Sequence, residues 1–150
     1  MTDRLTAEQK IREQAVLLDV VPDAIFVRDI NDIITMWSKG AELMYGWSSE
    51  EAIGVTSPKL IGTGEPNDFH IAKKTLLTKG SWSGEFRQKT KDGRLLLVHS
   101  RWKLLQNFAN QPNSILVVNS DITEKKNLES QLFRAQRLES IGTLAKWDRS

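Results

Sequence analysis

The chain contains no cysteine. Disulfides, thiolate metal sites, thiol nucleophiles and cysteinyl photo-adducts are therefore excluded by chemistry alone. Its two histidines, His70 and His99, are well separated, and without cysteine beside them they give no metal-site spacing. Long apolar runs are also missing. The strongest, residues 95–98 and 115–118, are of strand length, against the roughly 18–20 residues that a membrane-spanning helix needs. An excess of one charge is missing too: the formal net charge is +2 and the basic residues are scattered, so nothing marks a nucleic-acid surface. The first residues, with Asp3, Arg4 and Glu8, lack the basic-then-apolar order of a secretory signal. These absences point to a cytoplasmic segment that makes no membrane contact and binds no nucleic acid.

Catalytic constellations are equally hard to find. No Ser/His/Asp order and no paired carboxylates stand out. Gly62-Thr63-Gly64 lacks the lysine and the spacing of a phosphate-binding loop. The expectation is a chain that is not itself an enzyme.

What is present fits one domain with flanking helices: 150 residues, 39% hydrophobic and 27% charged. The organising stretch is a long antiparallel hairpin over residues 82–105. Its first arm places Trp82 and Phe86 on one face, and its second places Leu96, Val98 and Trp102 there. Asp92-Gly93 is read as supplying the positive φ angles of a tight turn between the arms. A further strand at residues 114–120 has Ile115 and Val117 on one face, with Leu116 and Val118 on the other, which predicts a central strand covered on both sides.

Ahead of the hairpin, Thr6 and Gln9 suggest a capping box for a helix with an apolar stripe of Ile11, Ala15 and Leu18, stopped by Pro22. Two short strands follow at residues 24–29 and 33–37, separated by the turn residues Asn31 and Asp32. A short helix over 41–45 ends at Gly46, and Ser48 with Glu51 forms a second capping box. Residues 55–67 show little periodicity and read as irregular. Asn67 or Asp68 is expected to cap a helix over 69–78.

From Thr123 the character changes to a charged helix with a narrow apolar seam: Leu128, Leu132, Ala135, Leu138, Ile141 and Ala145. The spacing is close to a heptad, with a phase slip near Ala135, and predicts a parallel coiled coil. The domain boundaries are thus expected at residues 1–22 for a helical cap, 23–122 for the domain and 123–150 for the exit helix.

The order helix, two strands, short helices, three strands, helix resembles the PAS sensory domain family over about residues 14–124. Four stretches carry the resemblance: residues 22–27 with Trp37; Ala41 through Gly54; Gly80 through Phe86 with Lys91-Asp92-Gly93; and Asp121-Ile122-Thr123. The resemblance implies an α+β fold, a five-stranded antiparallel sheet with short helices on one face. It implies a cavity lined by Trp82, Phe86, Leu96, Val98, Ser100, Trp102, Ile115, Val117 and Asn119. Most of these are plain core. The indoles of Trp82 and Trp102 argue for a filled pocket, and Ser100 and Asn119 must find polar partners in protein, water or ligand.

By the same resemblance His70 is a candidate haem ligand, and Asn119 stands where flavin-binding relatives carry an amide against the ring. The expectation is no cofactor, with haem or a non-covalent flavin as the alternative. Asp121 and Thr123 are expected to act as a signal relay. Residues 134–145 are similar to the opening of a histidine kinase dimerisation helix, but 146–150 depart from it and bring no phospho-accepting histidine. The implied role is a homodimeric sensor in a two-component system, with a possible small-molecule ligand, a downstream kinase module and a response regulator as partners.

Overall fold

A computed structural model describes residues 22–63, 66–107 and 109–148, with side chains except at 66 and 140–148. The expected N-terminal helix and the Ile141 and Ala145 side chains of the seam lie outside what is described. Five strands form one antiparallel sheet: β1 (Ala24–Asp29), β2 (Ile34–Trp37), β3 (Ser81–Lys89), β4 (Leu95–Gln106) and β5 (Pro112–Asp121). Their order is β2-β1-β5-β4-β3, so β5 is central, as its two-sided apolarity requires. Between β2 and β3 come α1 (Lys39–Tyr45), α2 (Ser49–Ala52), α3 (Ser57–Ile61) and α4 (Pro66–Lys79). After β5 runs α5 (Thr123–Asp148).

The local signals are largely realised. Gly46 takes a left-handed φ of 82° and ends α1, while Ser48 and Glu51 form both halves of the capping box. The core gathers on one sheet face, where Phe26, Trp37, Leu96, Val98, Trp102, Ile115 and Val117 meet Ala41, Tyr45, Ala72 and Leu76 from the helices. Each such large side chain contributes about 1.5–3 kcal/mol by leaving water.

Three expectations are corrected. Residues 57–61 are not irregular: they form α3, because a proline in the first helical turn gives up an N–H that has no helical partner there anyway. α4 begins at Pro66 rather than at a cap on Asn67 or Asp68, for the same reason, and Asp68 serves in its first turn. In the β3–β4 hairpin only Gly93 has a positive φ, 87°. The Gly93 N–H donates to Thr90 O at 3.0 Å and the Thr90 N–H to Arg94 O at 2.9 Å. Lys91, Asp92 and Gly93 thus close the loop as a turn followed by a left-handed glycine, so Asp92 does not supply the positive φ expected of it.

Candidate functional site

Side chains alternate along a strand, so the residues that reach the helix-covered face follow from register. On β4 and β5 these include Ser100 and Asn119, paired directly across the strands. Both are fully buried. The Trp102 indole N–H donates to Ser100 Oγ at 2.8 Å, and Ser100 Oγ–H donates to Asn119 Oδ1. Asn119 Nδ2 donates to the Tyr45 hydroxyl at 2.9 Å, and the Tyr45 O–H donates to Gln88 Oε1. A continuous hydrogen-bonded chain therefore links β4, β5, α1 and β3 through the core. Burial pushes the Tyr45 phenol well above the usual tyrosine range, against an opposing pull from the Asn119 hydrogen bond.

A second polar cluster comes from β1. Ala24, Phe26 and Arg28 share the inward face, which puts a guanidinium into the core with 1% of its surface exposed. The turn after β1 sets its neighbour. Asp29 Oδ1 accepts from the N–H groups of Asn31 (2.8 Å) and Ile33 (3.1 Å), and Asp32 adopts a left-handed φ of 70°. That conformation brings Asp32 Oδ1 to 3.4 Å from Arg28 Nε, and Oδ2 to 3.0 Å from Lys73 Nζ on α4. Arg28 Nη1 donates to Ser57 Oγ at 3.3 Å, and the guanidinium lies over Trp102 at 4.0 Å and Phe69 at 4.9 Å. Nη2 has no hydrogen-bond acceptor among the described residues, and Nε lies near Asp32 without hydrogen-bond alignment. Burial pulls the Arg28 pKa down to about 10, with Asp32 pulling it partly back, so the group is charged at neutral pH.

The two clusters face one cavity of about 400 Å³. Phe26, Ile61, Phe69, Phe86, Trp102 and Val117 supply its apolar wall, and Arg28, Gln88, Ser100 and Asn119 its polar points. The pocket is thus not filled by its indoles. Trp82 instead folds back over Gly84, where an added Cβ would lie 2.5 Å from its ring, and packs on Phe86 and Trp102 at centroid distances of 5.1 and 4.7 Å. Trp82 is therefore stacked behind the wall instead of filling the space in front of it.

Of the residues expected at the site, Phe86, Ser100, Trp102, Val117 and Asn119 line the cavity, while Trp82 and Val98 are packed behind it. His70 is exposed and sits at the cavity rim beside Phe69. His99 points to the opposite sheet face and is half-buried. Arg28, Tyr45 and Gln88 carry no site assignment from the sequence, and Asp32 stands there only as a turn residue. Two had a visible signal: Arg28 shares the parity of Phe26 on β1, and Gln88 that of Trp82 and Phe86 on β3.

The junction after β5 is built from the Asp121 and Thr123 side chains and the Leu97 main chain. The Thr123 N–H and hydroxyl both donate to Asp121 Oδ1, at 3.0 and 2.6 Å. Thr123 Oγ1 accepts from the Leu97 N–H at 2.9 Å, and the Ile122 N–H donates to Leu97 O at 2.9 Å. The first turn of α5 is thereby fastened to β4. Lys126 on α5 reaches Glu85 on β3 at 3.6 Å. Beyond, residues 124–139 are exposed throughout, and Leu128, Leu132, Phe133 and Leu138 expose 56–69% of their surface.

Among the described residues no helix is long and apolar enough to cross a membrane, and no group of three or more histidine or acidic side chains is placed to hold a metal ion. A family model for the PAS fold matches residues 13–122. Among solved structures, the PAS domain of a protein from Colwellia psychrerythraea is 32% identical, with a TM-score of 0.71 over 76% of this chain and 98% of that one. A PAS domain from a two-component sensor histidine kinase gives a TM-score of 0.65 at 16% identity, over 77% of this chain and 98% of that one. An RNA-binding Light-Oxygen-Voltage receptor gives 0.72 at 19% identity, over 88% of this chain and 37% of that one. The last two speak to the fold alone. No curated protein matches the chain.

Proposed function

The chain belongs to the PAS family, and from that premise we propose that it is a sensory and dimerisation module which relays the state of its cavity into α5. In this reading Asn119 faces the cavity and Asp121, two residues on, ends the same strand at the junction. A shift of β5 is then felt at once by the Asp121–Thr123 pair. Two copies of α5 form a parallel coiled coil along Leu128, Leu132, Ala135, Leu138 and Ile141, and its splay or register sets the activity of a histidine kinase module. The chain performs no catalytic step of its own. Its partners are a second copy, the kinase module and that module's response regulator, in the cytoplasm.

The observation that carries this reading is the Thr123 hydroxyl, held between the Leu97 main chain and Asp121, which ties the helix start to the sheet. The length and exposure of α5 support the dimer, because a lone helix with no packed face is marginal in water. Leu132→Asp is expected to weaken the dimer in light scattering across a concentration series while the sheet stays folded. Dimerisation as tight as the parent's overturns the seam. Thr123→Val is expected to cost about 1 kcal/mol and to speed amide exchange at Leu97. If that exchange is unchanged, the relay is refuted.

A haem sensor is the second reading, favoured by the place of the His70 imidazole at the cavity rim. A Soret band in the purified protein that is lost in His70→Ala is the result that carries it. A flavin fits less well, because both ends of the Asn119 amide are already bonded to Ser100 and Tyr45.

A further inference from the structure

A buried cation with a free donor needs an acceptor, and the placement of Arg28 says which kind. Its Nη2 group has no acceptor among the described residues, although the residue keeps only 1% of its surface exposed. Arg28 also lines the cavity. Asp32 does not complete its charge balance, since that carboxylate is shared with Lys73 at 3.0 Å. Arg28 and Lys73 against Asp32 leave one positive charge over. Arg87 meets the cavity only at its edge: it lies between the inward Phe86 and Gln88 on β3, so alternation turns its exposed guanidinium to the other sheet face and out of this balance.

We propose that the cavity takes a small organic monocarboxylate, its carboxylate paired with the Arg28 guanidinium and its apolar body among Phe26, Ile61, Phe86, Trp102 and Val117. The proposal rests on reading the cavity as the sensory site and names the class of its ligand. One negative charge matches the excess. A phosphate ester carries about 1.5–2 negative charges at neutral pH, and would set the surplus against Asp32. The size agrees as well: 400 Å³ is the volume of roughly a dozen water molecules in the liquid, space for a ring or short chain bearing one acid group. The apolar wall disfavours a sugar acid, whose further hydroxyls would lose water without gaining partners, and an amino acid, neutral overall, would leave the excess charge in place. The opposite polar end does not compete for the anion, because Ser100 and Asn119 already bond each other and their neighbours.

The test is calorimetric titration of the parent chain at neutral pH with phenylacetate, hexanoate and indole-3-acetate, each beside its uncharged amide. At least one acid is expected to bind saturably and about tenfold or more tighter than its amide, since a charge-assisted hydrogen bond is roughly twice as strong as a neutral one. In Arg28→Met that preference is expected to collapse to about even, with the amide's affinity kept. Equal binding of acid and amide by the parent, or no saturable binding by any of the three acids up to about 10 mM, overturns the proposal and leaves Arg28 satisfied by water. The acid–amide comparison on the parent decides the matter even if Arg28→Met does not fold. Amide exchange along α5, followed during titration of the parent, separates this proposal from the relay. Binding that leaves exchange in the first turn of α5 unchanged sinks the relay alone, whereas no binding by the parent sinks the carboxylate site alone.

Discussion

Two polar clusters share the wall of one cavity and are built on opposite terms. Along Trp102, Ser100, Asn119, Tyr45 and Gln88, every link named both belongs to the core and finds a partner. Around Arg28, the side chain is equally buried, yet two of its nitrogens have no hydrogen-bond acceptor among the described residues. A satisfied buried network holds four elements in one arrangement, and a cluster left short holds a charge ready for something else. Buried polarity therefore does two jobs here. The first cluster specifies the fold; the second lowers its stability in return for recognition.

The comparison is broken most forcefully at Asn119. Asn119→Ala removes an acceptor from Ser100 and a donor from Tyr45 and leaves a void, so a loss of about 2–4 kcal/mol is expected in urea unfolding. A loss below about 1 kcal/mol would mean that water or side-chain rearrangement satisfies Ser100 and Tyr45 as well as Asn119 does. The chain would then not be what fixes these four elements.

Arg28→Met should act in the other direction, and less. It forfeits the cation–π contacts with Trp102 and Phe69, worth about 0.5–2 kcal/mol, but relieves an unpaired buried donor and a desolvated charge whose cost is larger. Lys73 remains beside Asp32, so no new orphan charge is made. A gain of about 1 kcal/mol in the same unfolding experiment is expected. A loss greater than about 1 kcal/mol would show that Arg28 is as structural as Asn119, and the contrast between the clusters would vanish.

How far the sequence shows these clusters depends on how each residue is selected. Period-two alternation exposes Ser100 and Asn119 as inward polar residues, and the same rule places the wall residues Phe86, Trp102 and Val117 on β3, β4 and β5. Arg28 and Gln88 obey that rule but sit on short or edge strands, where an arginine or glutamine reads more readily as solvated. Tyr45 is legible only as the last residue of an apolar helix; that its hydroxyl meets Asn119, 74 positions away in the chain, follows from tertiary packing. The cavity itself is least legible. Bulky indoles suggest a filled core, and only Gly84 lets Trp82 lie along its own strand and leave the space open. The helix over residues 57–61 and the start of α4 escape for a local reason: in each, a proline stands inside the first turn, where it favours the helix it would break elsewhere.

The smallest effect under ordinary conditions is also the one that isolates a single atom. Burial disfavours charge at both clusters, lowering the Arg28 pKa and raising that of Tyr45. Tyr45 is the sole tyrosine of the chain, so phenolate absorbance reports it without assignment. Its folded-state pKa lies above the unfolded value of about 10, so its contribution to stability is complete below pH 10 or so and declines as pH rises from there toward the folded value. At neutral pH, therefore, Tyr45 adds no pH dependence at all. Above that threshold, phenolate should appear together with loss of the near-ultraviolet dichroism of the packed indoles, because ionisation must await opening of the core. A phenol that titrates near pH 10 while the indole signal stays native would mean that water already reaches Tyr45. The closed chain from Trp102 to Gln88 would then be open at its centre, and the two clusters would differ in degree instead of kind.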